Sequence, residues 1–303
     1  HRGPDGEGWY TDKGVGLGHR RLAIIDLSPA GQQPMVTPDG RFALTYNGEI
    51  YNFKEIRVEL EQLGHKFRSN TDSEVVLYAW AEWGQDCVIK FNGMFAFAVW
   101  DSLEQTLYLA RDRYGIKPVY YAKSEKYFLF GSEQRAVKAF PAFASTMDEE
   151  ALFEYFTFQN IFTDKTLTMG LRLLPPGQIM TVTITGTTSA VQYWDFHFSE
   201  PIKEADELEY REELQRLLAQ AIKRQLVSDV EIGSYLSGGV DSGTITAISS
   251  QSLPFIKTFT CGFDLSSAVG AELGFDERIQ AEAMSSLLKT EHYEIVLNSS
   301  DLE

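Results

Sequence analysis

The chain has 303 residues, 44% of them hydrophobic and 13% aromatic, a length that favours two domains and a composition that excludes disorder, collagen and coiled coil. Lys and Arg number 27 against 43 Asp and Glu, and the net charge of -16 excludes a general binder of nucleic acid backbones or acidic lipid surfaces. The longest apolar run, residues 94–100, falls far short of the roughly 18 residues of a membrane span, and the separated cysteines Cys87 and Cys261 suit a reducing, cytoplasmic setting better than a disulfide scaffold. The chain opens at His1 with neither an initiator Met nor a charged-then-apolar leader, and it closes at Glu303 just after an expected strand. Both ends read as cut.

From Val15 to about Tyr193, short alternating or apolar runs bounded by Gly, Asp and Asn read as strands joined by turns. Two helices interrupt them. Asn52 is placed to cap residues 53–63 with Gly64 just past the end, and Asp72 to cap residues 73–83 with Gly84 likewise placed. Residues 94–100, 106–111, 119–122 and 127–130 are expected as four strands of one meander. A helix follows at residues 149–158, and the aromatic stretch 153–162 reads as a core or interdomain helix rather than a cofactor box. Strands within 171–193, with Pro175-Pro176-Gly177 as a turn, complete residues 1–197 as an α+β domain. Residues 198–206 are polar and read as a linker.

The pattern then changes. A long helix over residues 208–226 precedes strand, helix, strand, helix and strand at residues 231–236, 243–250, 256–263, 277–288 and 292–296. That alternation marks residues 207–303 as the start of an α/β doubly wound parallel sheet, with the rest of the sheet expected beyond Glu303.

Between the first strand and helix of this second part lies Ser237-Gly238-Gly239-Val240-Asp241-Ser242. At such a junction backbone N–H groups and the helix dipole favour an anion, glycines let the chain approach oxygen atoms, and serines add hydroxyl donors. Asp241 can hold a magnesium ion against phosphate oxygens. The sequence is neither a Walker A loop nor a dinucleotide fingerprint. The hexapeptide resembles the pyrophosphate-binding loop of the ATP pyrophosphatase superfamily, whose members cleave ATP between the α and β phosphates to adenylate an acceptor. The same resemblance implies that Leu236 and Cys261, at the ends of the first two strands, lie against adenine and ribose. Their ordinary reading is buried strand residues.

In the first part, His1-Arg2-Gly3-Pro4-Asp5, His19-Arg20-Arg21-Leu22, Asn47-Gly48-Glu49-Ile50-Tyr51-Asn52 and Thr71-Asp72-Ser73-Glu74 stand in order, followed by Gly93-Met94-Phe95-Ala96-Phe97-Ala98 and Arg111-Asp112-Arg113-Tyr114-Gly115-Ile116-Lys117-Pro118. This set resembles a class II glutamine amidotransferase domain, and the two parts together resemble the glutamine-dependent asparagine synthetases over nearly every residue. The resemblance implies an N-terminal nucleophile-hydrolase-like domain, antiparallel sheets sandwiched by helices, ahead of the parallel-sheet domain. It implies hydrolysis of glutamine and use of the ammonia on a β-aspartyl-AMP formed from aspartate and ATP, with Mg2+. Glutamine, aspartate and ATP are then the partners, with room left for a homodimer, and with no nucleic acid and no membrane.

The residue chemistry agrees with an amide-hydrolysing pocket. A zwitterionic amino acid needs a cation for its carboxylate and anions for its ammonium, and Arg21 with Asp72 and Glu49 supplies them. Asn47 and Gly48 offer a side-chain amide and a backbone N–H to a tetrahedral oxyanion, about 3–4 kcal/mol per donor in comparable sites. Taken singly, each has an ordinary reading as well: Arg21 a surface ion pair, Asn47-Gly48 a hairpin turn, Asp72 a helix cap.

One feature departs from the family. Its nucleophile is a Cys at the mature N-terminus whose own amine is the base, whereas position 1 is His and Cys87 and Cys261 read as small buried residues. The nucleophile is expected in a segment preceding His1, and the chain as written is not expected to hydrolyse glutamine. His1, His19, His65, His197 and His292 show no metal-ligand spacing. Three alternatives stand beside the leading reading: an amidotransferase acting on another carboxylate, a β-lactam-synthetase-like enzyme, and a non-catalytic glutamine or nucleotide binder.

Overall fold

The computed structural model describes residues 2–200, 206–264, 276–298 and 301. His1 of the first motif and residues 201–205 of the expected linker lie outside the described residues. The chain divides into two units, His1–Ser199 and Glu200–Glu303.

In chain order the first unit runs β1 (Gly6–Asp12), β2 (Val15–Arg21), β3 (Met35–Val36), β4 (Phe42–Ile50), α1 (Phe53–Gln62), α2 (Asp72–Trp83), α3 (Cys87–Lys90), β5 (Gly93–Asp101), β6 (Thr106–Arg111), β7 (Tyr120–Lys123), β8 (Phe128–Gly131), α4 (Gln134–Lys138), α5 (Glu149–Phe158), β9 (Leu171–Leu173), β10 (Gln178–Thr183) and β11 (Thr188–Gln192). β1 and β2 form a hairpin through Lys13 and Gly14, whose φ values of 43 and 85 suit the turn's twist. The largest sheet has six strands in the order β11-β10-β6-β5-β4-β3, and a second has three, β8-β7-β9.

Period-two alternation along β5 explains the layering. Phe97 faces the helices, meeting Trp80 of α2 edge-on at 5.8 Å, and Phe95 meets Phe91 at 5.6 Å. Ala96, Ala98 and Trp100 point the other way, into a core with Leu107, Leu109, Met180 and Val182 on which Tyr121 and Phe128 of the second sheet pack. Helices thus cover one face of the large sheet and the small sheet covers the other.

Several expectations are corrected here. The four strands from 94 to 130 are not one meander, because β5 and β6 belong to the large sheet while β7 and β8 pair in the small one. Asn52 does stand at the N-cap of α1 but makes no side-chain cap; its amide instead bridges Lys90 O and Asn92 N at 3.0 and 2.8 Å. Asp72 is not the cap of α2. Thr71 is, accepting Glu74 N at 3.2 Å, and Asp72 sits in the first turn with its side chain buried. On α5 only Ala151 is buried, and Phe153 and Phe156 are about three-quarters exposed, so of the two expected readings, core or interdomain, the core one is overturned.

The second unit runs α6 (Glu207–Gln225), β12 (Gly233–Tyr235), α7 (Val240–Ser252), β13 (Lys257–Phe263), α8 (Arg278–Leu288) and β14 (Glu291–Leu297). The three strands are parallel in the order β12-β13-β14. Ser234, Thr258 and His292 form one cross-strand row, which α7 reaches through Thr246 on Ser234 (2.9 Å) and α8 reaches through Ser285 on Thr290, itself on Thr258. Both helices therefore cover the same face. On the opposite face Tyr235, Phe259, Cys261 and Phe263 are exposed among the described residues.

Candidate functional site

β4 carries the first site. Asn47 and Gly48 lie inside the strand opposite Ala96 and Phe95, which overturns their reading as a hairpin turn. Asn47 and Glu49 share the face toward the small sheet, while Tyr46, Gly48 and Ile50 share the face toward the helices. Asn47 Nδ2 donates to Ser132 Oγ at 3.4 Å, just past β8. Gly48 is fixed by packing: a Cβ there would stand 2.3 Å from the Met94 carbonyl oxygen and 2.7 Å from Phe95 Cα.

Asp72 enters from the first turn of α2. Its Oδ2 accepts the Tyr46 hydroxyl at 2.6 Å and the Ile50 N–H at 3.0 Å. Burial raises its carboxyl above the usual range, and those hydrogen bonds pull the other way. The entry to α2 is rigid, since Glu74 accepts Ser69 N and the Ser69 hydroxyl at 2.7 Å each. Glu49 lies close enough to Asp72 to feel its charge. Burial first, then Asp72, push the Glu49 carboxyl up to about 7, and Lys117 opposes them. Its Oε1 is buried without a hydrogen-bond partner in the described structure. An acidic oxygen in that condition is complementary to a bound cation.

Arg21, at the end of β2, is 7% exposed. Its Nη1 donates to Ser28 O at 2.7 Å, and its Nη2 to the carbonyls of Ile25 and Asp26. A Cβ at Gly31 would touch both Nη2 and the Thr71 methyl, at 2.1 and 2.7 Å, so the guanidinium lies beside the start of α2. The fork is thus not a surface ion pair but the clamp of loop 25–31. A carboxylate ligand would share its donors with those carbonyls.

Four further residues, given no site role from the sequence, contribute. Tyr46 anchors Asp72. His19 places Nε2 3.1 Å from Tyr46 O, with Nδ1 buried and unpartnered, and burial lowers its pKa. A His-x-Arg spacing within a strand puts His19 and Arg21 on one face, and that signal was available. Asp112 is 1% exposed and holds the following loop by accepting Tyr114 N, Ile116 N, Lys117 N and Phe95 N at 2.9–3.2 Å. Arg111 beneath it clamps Lys117 O at 2.9 Å and also the carbonyls of Gly115 and Leu174. Together they set the position of Lys117 beside Glu49.

The second candidate site follows β12. Ser237, Gly238 and Gly239 form the turn and α7 begins at Val240, so Asp241 and Ser242 lie in its first turn rather than ahead of it. The loop is held by its own hydroxyls: Ser242 Oγ accepts Ser237 N at 3.1 Å and stands 3.0 Å from Ser237 Oγ. Gly238 has φ 77, whereas among the described residues a Cβ on Gly239 would meet only Ser237 Oγ at 3.4 Å, leaving space above the turn. Asp241 is exposed at the helix start, where its carboxylate suits a hydrated magnesium ion on a phosphate. Leu236 is 1% exposed on the helix-covered side, while Cys261 is exposed on the other face. The two are not brought to one surface, and Cys261 is not the buried residue expected. Cys87 is buried in α3, with its thiol pushed far up.

A glutamine amidotransferase domain model matches residues 1–194. The chain belongs to the glutamine amidotransferase domain family. An asparagine synthase model matches residues 213–303. Asparagine synthetase [glutamine-hydrolyzing] 1 of Bacillus subtilis is 34% identical over 301 residues, covering 99% of this chain and 46% of the relative. Asparagine synthetase [glutamine-hydrolyzing] 3 of the same organism is 35% identical over 312 residues, 99% of this chain and 50% of the relative. An amidase of Gibberella zeae, chry2, is 34% identical over 83% of this chain and 37% of its own length. The chain spans about half the length of the two synthetases it matches.

Proposed function

We propose that this chain carries the glutamine-binding unit and the opening of the ATP-using unit of a glutamine-dependent asparagine synthetase. The observation that carries the reading is the succession of an amidotransferase match and an asparagine synthase match on one chain, in that order. In the first unit, the Glu49 and Asp72 carboxylates receive the α-ammonium of glutamine, and the unpartnered Glu49 oxygen supports this role. Asn47 Nδ2 and the Gly48 N–H receive the oxyanion that forms at the side-chain amide. Arg21 orients the α-carboxylate. Ammonia released from glutamine attacks an aspartate carboxyl activated in the second unit.

In that second unit, Ser237, Gly238, Gly239 and Ser242 seat the phosphates of ATP, and Leu236 and Cys261 belong to the nucleotide pocket through different faces of the sheet. Asp241 holds Mg2+, which screens the charge of the departing pyrophosphate. The space over Gly239 among the described residues and the hydroxyl-lined turn support a phosphate there. Work in a reducing, cytoplasmic setting and assembly as a homodimer are part of the same proposal.

The test is ATP–pyrophosphate exchange by the complete polypeptide in magnesium without glutamine, with L-aspartate and then other carboxylates. Exchange dependent on aspartate is the expected result. Exchange dependent only on another acid moves the protein to a different amidotransferase, a reading to which the similar amidase of Gibberella zeae gives weight. Titration of L-glutamine into the chain itself tests the first unit separately.

A further inference from the structure

Two glycines in the second unit clear room for the start of α8. A Cβ on Gly238 of the turn would stand 2.5 Å from Gln280 Cβ and 3.2 Å from Ala281 N. A Cβ on Gly262, near the end of β13, would stand 2.4 Å from Arg278 Cδ and 2.5 Å from its Nε. The first turns of α8 therefore lie against the 237–242 turn, and the Arg278 stem lies flat over the end of β13. Both belong to the carboxyl edge of a parallel sheet, where ligands of open α/β sheets bind. β12 and β13 are adjacent strands, so the Arg278 stem over Gly262 and the Gln280 contact at Gly238 place the first turn of α8 across the same stretch of that edge, with the long Arg278 side chain starting beside the strand next to the turn.

Arg278 is also held in a defined pose. Its Nε stands 2.9 Å from each Asp276 carboxylate oxygen and its Nη2 stands 2.6 Å from Oδ2. Among the described residues these bonds engage the Nε and Nη2 edge and present the Nη1 edge. The charges of Glu294 and Asp264 also favour the charged guanidinium. Asp276 keeps the cation in place without a ligand, and a polyphosphate in the turn is a stronger acceptor for its remaining donors. Arg is suited to the task because its planar fork can hold Asp276 on one edge and a phosphate oxygen on the other.

We propose that Arg278 is a phosphate-binding residue, closing the 237–242 turn over a di- or triphosphate from the α8 side with Asp276 as its positioning partner. The proposal rests on the reading of that turn as the phosphate seat. The experiment measures binding of inorganic pyrophosphate, and then of ATP, to the intact chain in magnesium by calorimetry, comparing wild type with Arg278→Gln, Arg278→Lys, Ser242→Ala and Arg216→Gln. Arg278→Gln is expected to weaken pyrophosphate binding about tenfold, the scale of one charge-assisted contact. Arg278→Lys, which keeps the charge and the ion pair but loses the fork, is expected to weaken it two- to fivefold, about the same order as a lost second donor. Arg216→Gln, an equal change of net charge on α6, is expected to have no effect, and unchanged far-ultraviolet circular dichroism checks the fold of each variant. If Arg278→Gln binds pyrophosphate as wild type does while Ser242→Ala loses it, the role of Arg278 is refuted and the phosphate seat stands. If wild type does not bind, or Ser242→Ala binds equally well, the reading of the turn fails and takes this proposal with it.

Discussion

Replacing Glu49 with Gln separates what the carboxylate costs the fold from what it does for a ligand. Burial and Asp72 raise its carboxyl from 4.5 to about 7. Such a displacement corresponds to about 3 kcal/mol of disfavoured charge, which solvent screening at a half-buried position reduces to about 1–2 kcal/mol. The sign follows from proton counting. Between pH 4.5 and 7 the folded state binds more protons at Glu49 than the unfolded state, so stability falls as pH rises through this window and the whole penalty is present above pH 7. Glu49→Gln is isosteric and never ionises. It should match wild type below pH 4.5, gain stability progressively across the window, and melt higher at pH 8, at about 2–4 °C per kcal/mol. Glutamine binding should move the opposite way. An ammonium selects the ionised carboxylate, so wild-type affinity should rise with pH up to about 7 and then level, while the variant binds weakly and without that slope. Thermal melts and titrations from pH 5 to 8 measure both. A variant that is no more stable at pH 8 and binds glutamine with the wild-type pH profile would refute the reasoning.

Asp112→Ala removes the acceptor of four backbone N–H groups, a loss of about 3–4 kcal/mol at about 1 kcal/mol per bond, and amide exchange should accelerate first at Tyr114, Ile116 and Lys117. Gly48→Ala forces a Cβ against the β5 backbone and should cost about 3 kcal/mol in chemical denaturation; a loss below about 1 kcal/mol would mean the strands separate more easily than the structure implies. A maleimide should label Cys261 in the native chain within minutes and leave Cys87 untouched until unfolding, and mass spectrometry of the labelled peptides distinguishes them.

Strand and helix positions were legible because alternation and Gly or Asn punctuation are local signals. The run at 106–111 coincides with β6, and that at 149–158 with α5. Partnership was not legible. Nothing in residues 119–130 says that they leave the sheet of β5 and β6, because the decision lies with Arg111 and Asp112, which fold the intervening loop through contacts to Leu174 and Phe95. The cap of α2 failed for a similar reason. Thr71 and Asp72 are both good caps, and the buried donors at β4, the Tyr46 hydroxyl and the Ile50 N–H, explain why Asp72 turns inward and leaves the cap to Thr71. Cys261 was misplaced because a parallel strand is usually buried on both faces, whereas α7 and α8 cover just one here. The site motifs were visible as residue types, but their division of labour was not. Arg21 holds a loop, Tyr46 holds Asp72, and Glu49 alone among the three carries an unpartnered atom.

The two candidate sites are prepared for their ligands in opposite ways. The 237–242 turn satisfies itself: its serines bond one another and the Ser237 N–H, so an arriving phosphate exchanges existing hydrogen bonds for stronger charge-assisted ones and the turn keeps its shape without it. At β4 the Asp72 carboxylate is satisfied while Glu49 keeps a buried oxygen without a donor, so an arriving ammonium relieves a penalty instead of replacing a bond. The first arrangement favours a site that is rigid before binding, the second a site whose empty form is the less stable one. A ligand that binds only the folded state raises stability with the logarithm of its saturation, but at β4 that gain also carries the proton released from Glu49. The stabilisation by glutamine should therefore depend on pH between about 5 and 7, while stabilisation by pyrophosphate over the same range should follow the ionisation of pyrophosphate itself. Unequal pH dependence of the two ligand effects is the physical signature of one site built on relief of a buried charge and another built on exchange of hydrogen bonds.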